Sequence, residues 1–89
     1  MQVQYRKRFL KDLKKLKDQP IYEQVFELAF TVLPKAPTLR DVADVKALKG
    51  HSNRYRVRIG DYRVGIQVQG NTADVMCVLH RREFYRYFP

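Results

Sequence analysis

The stretch from residue 54 to residue 80, RYRVRIGDYRVGIQVQGNTADVMCVLH, constrains the chain more than any other. Apolar and polar residues alternate along much of it, and Gly60-Asp61 and Gly70-Asn71 interrupt the pattern. A period of two marks a half-buried strand, and Gly beside Asp or Asn suits a two-residue hairpin turn. A turn at Gly60-Asp61 pairs Ile59 with Tyr62, Val57 with Val64 and Tyr55 with Ile66. A turn at Gly70-Asn71 pairs Val68 with Ala73, Ile66 with Val75, Val64 with Cys77 and Tyr62 with Leu79. Both registers gather apolar residues on one face, and a slip of one residue in either would scatter them. The segment reads as a three-stranded antiparallel meander.

The other face of that meander then carries Arg54, Arg56, Arg58, Arg63, Gly65, Gln67, Met76, Val78 and His80. Arg58 falls across from Arg63, and Arg56 across from Gly65, whose missing side chain leaves room. Like charges directly opposed on neighbouring strands cost up to about 1 kcal/mol. Acidic residues that could neutralise them are scarce, with Asp61 in the turn and Asp74 at the far end. Such a face makes sense if an anion is meant to sit on it.

Upstream, Val3 and Tyr5 between glutamines suggest a short first strand. From about residue 6, Phe9, Leu10, Leu13 and Leu16 recur at helical spacing, with lysines on the other side. Proline disfavours helix at the residue before it, so Asp18–Pro20 ends this helix, and a second begins near Pro20. Ile21, Val25, Leu28, Ala29 and Val32 form its stripe, Phe26 and Phe30 widen it, and LPKAP stops it. Residues 35–53 read as loop with a short extended piece. The expected fold is α+β: a small antiparallel sheet, made of the meander and the amino-terminal strand, with two helices packed on one face. The 89 residues are read as one domain.

The net charge of +9 favours a polyanionic partner. Residues 1–49 carry eight lysines and three arginines, whereas residues 50–89 carry seven arginines and no lysine. The lysines suit a solvated helix face. Arginine grips phosphate through a planar fork and stacks on bases, so the arginine-only half is the functional signal. With Tyr85 and Tyr87 just beyond the third strand, it suits single-stranded RNA, or else an acidic protein partner. No run approaches a membrane span, and the amino terminus lacks the apolar core of a signal peptide. A single cysteine, Cys77, suits a reducing cytoplasm.

No cofactor or metal is expected. His51 and His80 are far apart in sequence, and no carboxylates cluster with them. Cys77 falls on the apolar face and reads as a buried structural thiol, and His51 as a turn residue. His80 is either a strand-end histidine with a backbone partner or an acid–base group.

RYRVRIGDYRVGIQV followed by VMCVLHRREFYRY resembles the RelE-like toxins of bacterial type II toxin–antitoxin systems, within the RelE/ParE superfamily. The preceding strand, lysine-rich helix, second helix and LKG agree with that family. The resemblance implies a small sheet with two helices, a cytoplasmic location and an acidic antitoxin encoded nearby. It also implies metal-independent cleavage of messenger RNA in the ribosomal A site, and hence inhibition of translation.

Carried over residue by residue, the family's basic positions fall on Arg56, Arg58, Arg63 and Arg81, and its late tyrosine on Tyr85 or Tyr87. His80 joins this catalytic set as the nearby side chain that titrates around neutrality. Arg54, Gln67, Arg82, Arg86, Tyr87 and Lys49 are expected to contact RNA. Where some members carry lysines, this chain has Arg56 and Arg58; an arginine, with a pKa above about 12, is a poor general base. Two rival readings are a ParE-type gyrase inhibitor, against which the full basic set with its tyrosine argues, and a non-catalytic RNA- or ribosome-binding module.

Overall fold

A computed structural model describes residues 1–88. Five strands form one sheet in the order β1-β5-β4-β3-β2: β1 (Gln2–Tyr5), β2 (Val45–Ala47), β3 (Arg54–Ile59), β4 (Tyr62–Gln69) and β5 (Thr72–His80). The helices are α1 (Lys7–Lys15), α2 (Tyr22–Glu27), α3 (Leu33–Lys35) and α4 (Arg81–Tyr87). The α+β class and the meander agree with the sequence reading. Three features of the element layout differ. β1 runs parallel to β5, so the sheet is mixed. The extended piece of the long loop is a true strand, β2, paired with β3 through Val45↔Val57 and Ala47↔Tyr55. And the carboxy-terminal residues form α4, which covers the sheet face expected to be open.

Both hairpins turn where predicted. Gly60 and Gly70 have φ of 57° and 58°, while Asp61 and Asn71 do not enter the positive-φ region. This is the pattern of a type II′ turn, in which only the first central residue needs glycine's freedom. β3 and β4 pair in the predicted register, with Arg58↔Arg63, Arg56↔Gly65 and Arg54↔Gln67.

β4 and β5 follow the prediction only from the turn to Ile66↔Val75. Beyond it Gly65 pairs with Cys77, Val64 with Val78, Arg63 with Leu79 and Tyr62 with His80. Met76 therefore has no partner on β4: it is a β-bulge, which shifts the strand by one residue. Every later side chain of β5 changes face. Val78 joins the main core and Cys77 leaves it, the reverse of expectation.

The main core lies between the sheet and the α1–α3 layer. Phe9, Leu13 and Leu16 of the first helical segment and Val25, Leu28, Ala29 and Leu33 of the second meet Val57, Val64, Ile66, Ala73, Val75 and Val78. Each large apolar side chain so buried contributes about 1.5–3 kcal/mol. Leu10 and Val32, expected in the stripes, are 45% and 37% exposed.

The second helical segment survives Pro34 by changing pitch. α2 passes through a π turn (Leu28–Val32) into α3, and the Leu33 N–H donates to the Leu28 carbonyl. The Ala29 carbonyl then has no helical donor, because the next residue is Pro34, which lacks an N–H. Tyr5 Oη donates to that carbonyl at 2.6 Å and ties β1 to the helix. Burial raises the Tyr5 pKa. The helix ends at Lys35, where Ala36 is extended ahead of Pro37.

Candidate nucleic-acid interface

Successive side chains of a strand alternate between faces, so Arg54, Arg56 and Arg58 share one side of β3, and Arg63 of β4 lies beside Arg58. Asp44 holds two of their guanidinium groups and the hairpin turn holds a third. Arg56 Nη1 donates to the Asp44 carbonyl at 2.8 Å, and Arg58 Nη2 pairs with the Asp44 carboxylate at 3.5 Å. Arg63 Nη1 donates to the carbonyls of Gly60 (2.9 Å) and Tyr62 (3.0 Å) at the hairpin turn. Arg54 lies 5.2 Å above the centroid of the Phe88 ring. Carboxylates are thus nearer than expected. Asp44 escaped the sequence reading because it sits in the long loop, where it adopts a φ of 62° just before β2.

α4 crosses this side of the sheet. Phe84 and Phe88, one helical turn apart, are buried with Cys77 in a second small core bordered by Leu48, Met76 and Leu79. The space beside Gly65 is not left for a ligand. A Cβ there would lie 3.0 Å from the Phe88 ring and 3.0 Å from Cys77 Sγ. Burial pushes the Cys77 thiol up to about 11 against a weaker opposing hydrogen bond with the Gly65 backbone; Asp12 raises it further and Arg8 lowers it. Cys77 is buried, as expected, but under α4 rather than in the main core.

The start of α4 is fastened to the β3–β4 turn. The Arg81 backbone N–H donates to the Asp61 carbonyl at 2.7 Å, and its Nε lies 3.9 Å from the Asp61 carboxylate. With Phe84 and Phe88 facing the sheet, the 100° step of a helix sends Arg81 and Tyr85 to one flank and Glu83 and Tyr87 to the other. Tyr87 lies on the α1 side, its ring 5.6 Å beneath the Arg8 guanidinium. Tyr85, 58% exposed, shares its flank with Arg81. Arg82 and Arg86 are exposed on the outer surface of α4, and Lys49 in the turn before β3. Gln67 is half-buried across from Arg54.

His80 is corrected. The bulge places it beside Tyr62 on the helix side of the sheet, its ring edge-on to Tyr62 at 5.4 Å between centroids. Nδ1 accepts a hydrogen bond from the Arg82 backbone N–H at 3.2 Å, capping α4. Of the two readings of His80, this geometry matches the strand-end histidine with a backbone partner. Nearby, buried Asp12 of α1 accepts from the Val78 N–H at 3.2 Å and from Arg8 Nε at 3.3 Å, satisfying the strand just past the bulge. Sequence reading missed Asp12, which looks like one more polar residue of the lysine-rich face.

Among the described residues no group of three His, Cys, Asp or Glu is placed to hold a metal ion. The surface can therefore offer fixed positive charge from Arg56, Arg58, Arg63 and Arg81 and an exposed aromatic face from Tyr85.

Comparison with known proteins gives the family and the fold. Residues 3–85 match the family described as ParE toxin of type II toxin–antitoxin system, parDE. The chain is 39% identical over 90 residues to Toxin RelE3 of Methanocaldococcus jannaschii, covering the whole of both chains. The crystal structure of a RelB-RelE antitoxin–toxin complex from Methanococcus jannaschii matches with a TM-score of 0.77 and 36% identity, over 97% of this chain and 99% of that one. The RelBE2 toxin–antitoxin complex of Mycobacterium tuberculosis matches with a TM-score of 0.69 and 29% identity, over 90% and 96% of the two chains. Two of these matches are to proteins of an archaeon, so the similarity carries the family and not the bacterial source expected from sequence. The chain belongs to the RelE/ParE superfamily of toxins of type II toxin–antitoxin systems.

Proposed function

We propose that this toxin is an endoribonuclease that cuts messenger RNA, within the ribosomal A site, and so stops translation in the cytoplasm. One observation carries the reading: Arg58 and Arg63 are opposed on adjacent strands with Arg56 beside them, next to the flank of α4 that bears Arg81 and Tyr85. A phosphodiester entering this surface would meet preorganised cations from three elements and an aromatic face for an unstacked base.

The reaction that fits is attack of a ribose 2′-oxygen on the adjacent phosphorus. The 2′-O–P bond forms, the P–O5′ bond breaks, and the products are a 2′,3′-cyclic phosphate and a 5′-hydroxyl. The 2′ proton leaves to a base and the departing oxygen takes one up. Arg56, Arg58 and Arg63 would stabilise the dianionic phosphorane, and Arg81 would hold the phosphate on the leaving side. Tyr85 would stack on the base. His80, capping α4 on the helix side, is a poor candidate for the proton transfers. The protein then contributes charge and positioning, with proton carriers drawn from the RNA or ribosome.

The cognate partner is an acidic antitoxin, a reading supported by toxin–antitoxin complexes among the similar structures. Among the described residues no helix is long and apolar enough to cross a membrane. Primer extension on translated messenger, comparing wild type with Arg63→Ala, tests the nuclease reading. Cuts within codons are expected from wild type and not from the variant; identical ladders would remove the arginines from catalysis. The family description also names parDE toxins. Inhibition of gyrase supercoiling, with no RNA cut, would establish that second reading instead.

A further inference from the structure

A second basic surface lies on the other flank of α4, away from Arg81 and Tyr85. A cleft of about 540 Å³ opens there, lined by Arg6, Lys7, Arg8 and Arg54 with the rings of Tyr87 and Phe88. Two of its cations are committed inward. Arg6 pairs with buried Asp74 at 3.2 Å and Arg8 with buried Asp12 at 3.3 Å. Among the described residues, Lys7 and Arg54 have no carboxylate within salt-bridge distance, so they carry the uncompensated charge of the cleft.

Lys7 and Arg8 also stand where helix electrostatics disfavour them. They open α1, whose first turn holds no acidic residue and whose amino-terminal N–H groups receive no side-chain cap. The positive end of the helix dipole favours anions, so Lys7, which unlike Arg8 has no carboxylate partner among the described residues, is unfavourably placed there. An anion held in the cleft that Lys7 and Arg54 line would offset that charge.

The cleft is continuous with the arginine surface through β3. Arg54, Arg56 and Arg58 lie on one side of a strand rising about 3.3 Å per residue, so the row spans about 13 Å. Arg54 stands at its end, packed over Phe88 where α4 terminates. We propose that this cleft is a subsite for the phosphodiester backbone of single-stranded RNA, continuing from the Arg56–Arg58–Arg63 surface around the carboxy-terminal end of α4. Lys7 and Arg54 hold phosphates, and the Tyr87 ring covers an adjacent base. The inference deepens the reading of the protein as a toxin that acts on RNA. The same backbone chemistry is offered by messenger flanking the cut and by ribosomal RNA.

The test uses Arg63→Ala protein, in which cleavage does not obscure binding, with and without Lys7→Gln and Arg54→Gln together. The probes are a labelled single-stranded 12-residue RNA and, separately, ribosomes with and without messenger. Binding to at least one probe should weaken about tenfold at 0.1 M salt, and the dependence of log K on log salt should flatten by about 1.4, since a single-strand phosphate contact contributes about 0.7. Lys7→Arg with Arg54→Lys should restore binding, and thermal stability should not fall in Lys7→Gln. Loss with the free RNA marks messenger as the source, and loss confined to ribosomes marks ribosomal RNA. Unchanged affinity for every probe overturns the subsite. Failure of the nuclease reading is distinguishable: wild type would cut no RNA, yet the cleft variant would still lose binding. If the subsite alone is wrong, wild type cuts RNA and the Lys7→Gln/Arg54→Gln protein cuts it with unaltered KM.

Discussion

Arg58 and Arg63 stand opposite each other on β3 and β4, yet their guanidinium groups turn to different anchors, one to the Asp44 carboxylate and the other to carbonyls of the hairpin turn. The anchors relieve the repulsion without consuming the charge. The Arg58–Asp44 pair is more than half exposed at both ends and contributes little to stability. A phosphate between the two arginines can therefore replace Asp44 at low cost.

Arg63→Ala should lower kcat for RNA cleavage about 10²–10³-fold, the scale for losing one group that stabilises a developing anion. Its melting temperature should stay level or rise slightly, because an opposed like charge is gone. Asp44→Asn, which tolerates the same positive φ, should free Arg58 and lower KM about two- to fivefold. Single-turnover cleavage together with thermal melts checks both expectations.

The two tyrosines should separate. Base stacking on an aromatic ring is worth about 1–3 kcal/mol, so Tyr85→Ala should weaken cleavage about 5- to 150-fold, and Tyr85→Phe should retain most of it. Tyr87→Ala should leave kcat unchanged, because that ring lies under Arg8 on the other flank. A loss of kcat in Tyr87→Ala equal to that in Tyr85→Ala, rather than a rise in KM alone, would contradict the division of α4 into two flanks.

His80→Ala should cost about 1 kcal/mol by removing the cap from α4, while His80→Asn, whose side-chain oxygen accepts the same hydrogen bond, should recover it. Urea titrations give the stabilities, and single-turnover rates give the chemistry. A histidine that moved a proton would leave both variants equally impaired; a cap leaves the asparagine variant near wild type.

How far the sequence foretold this arrangement varied along the chain. The β3–β4 register was legible because alternation and turn chemistry agree there, and the opposed arginines followed directly. β5 was misread from residue 76 onward for a physical reason. Val75, Met76, Cys77, Val78 and Leu79 are all apolar, so no polar residue marks the phase and a bulge leaves no trace in the pattern. That single residue moved His80 to the wrong face in prediction. α4 was read as a flanking tail, although Phe84 and Phe88 at i, i+4 carried its signal. β2 is three residues long and depends on its distant partner, beyond the reach of local pattern.

Gly65→Ala should destabilise the protein by about 1–3 kcal/mol, because its Cβ would press on both the Phe88 ring and Cys77 Sγ at 3.0 Å. Hydrogen exchange should show α4 loosening before the sheet. A double-mutant cycle with Phe88→Leu should reveal coupling, as expected for side chains in contact.

Alkaline stability should depend on Cys77. Burial keeps the folded thiol protonated up to about 11, against 9.0 for an unburied one, so the unfolded chain loses its proton first as pH rises. Stability should then fall across the window from pH 9 to 11, by on the order of 2 kcal/mol from this group. Cys77→Ala should lack this part of the alkaline decline, measured by urea titrations at pH 8 and pH 11.

The unpaired residue in β5 also separates two obligations that one strand would otherwise have to meet with the same side chains. Before Met76, the odd-numbered positions Ala73 and Val75 serve the layer of α1–α3; after it, the even-numbered Val78 does, and Cys77 becomes bedding for α4. The strand thus works as a phase adaptor. Substitutions that retune the seat of the terminal helix, and with it the placement of Arg81 and Tyr85, can accumulate at Cys77 and Leu79 without disturbing the scaffold on the reverse side.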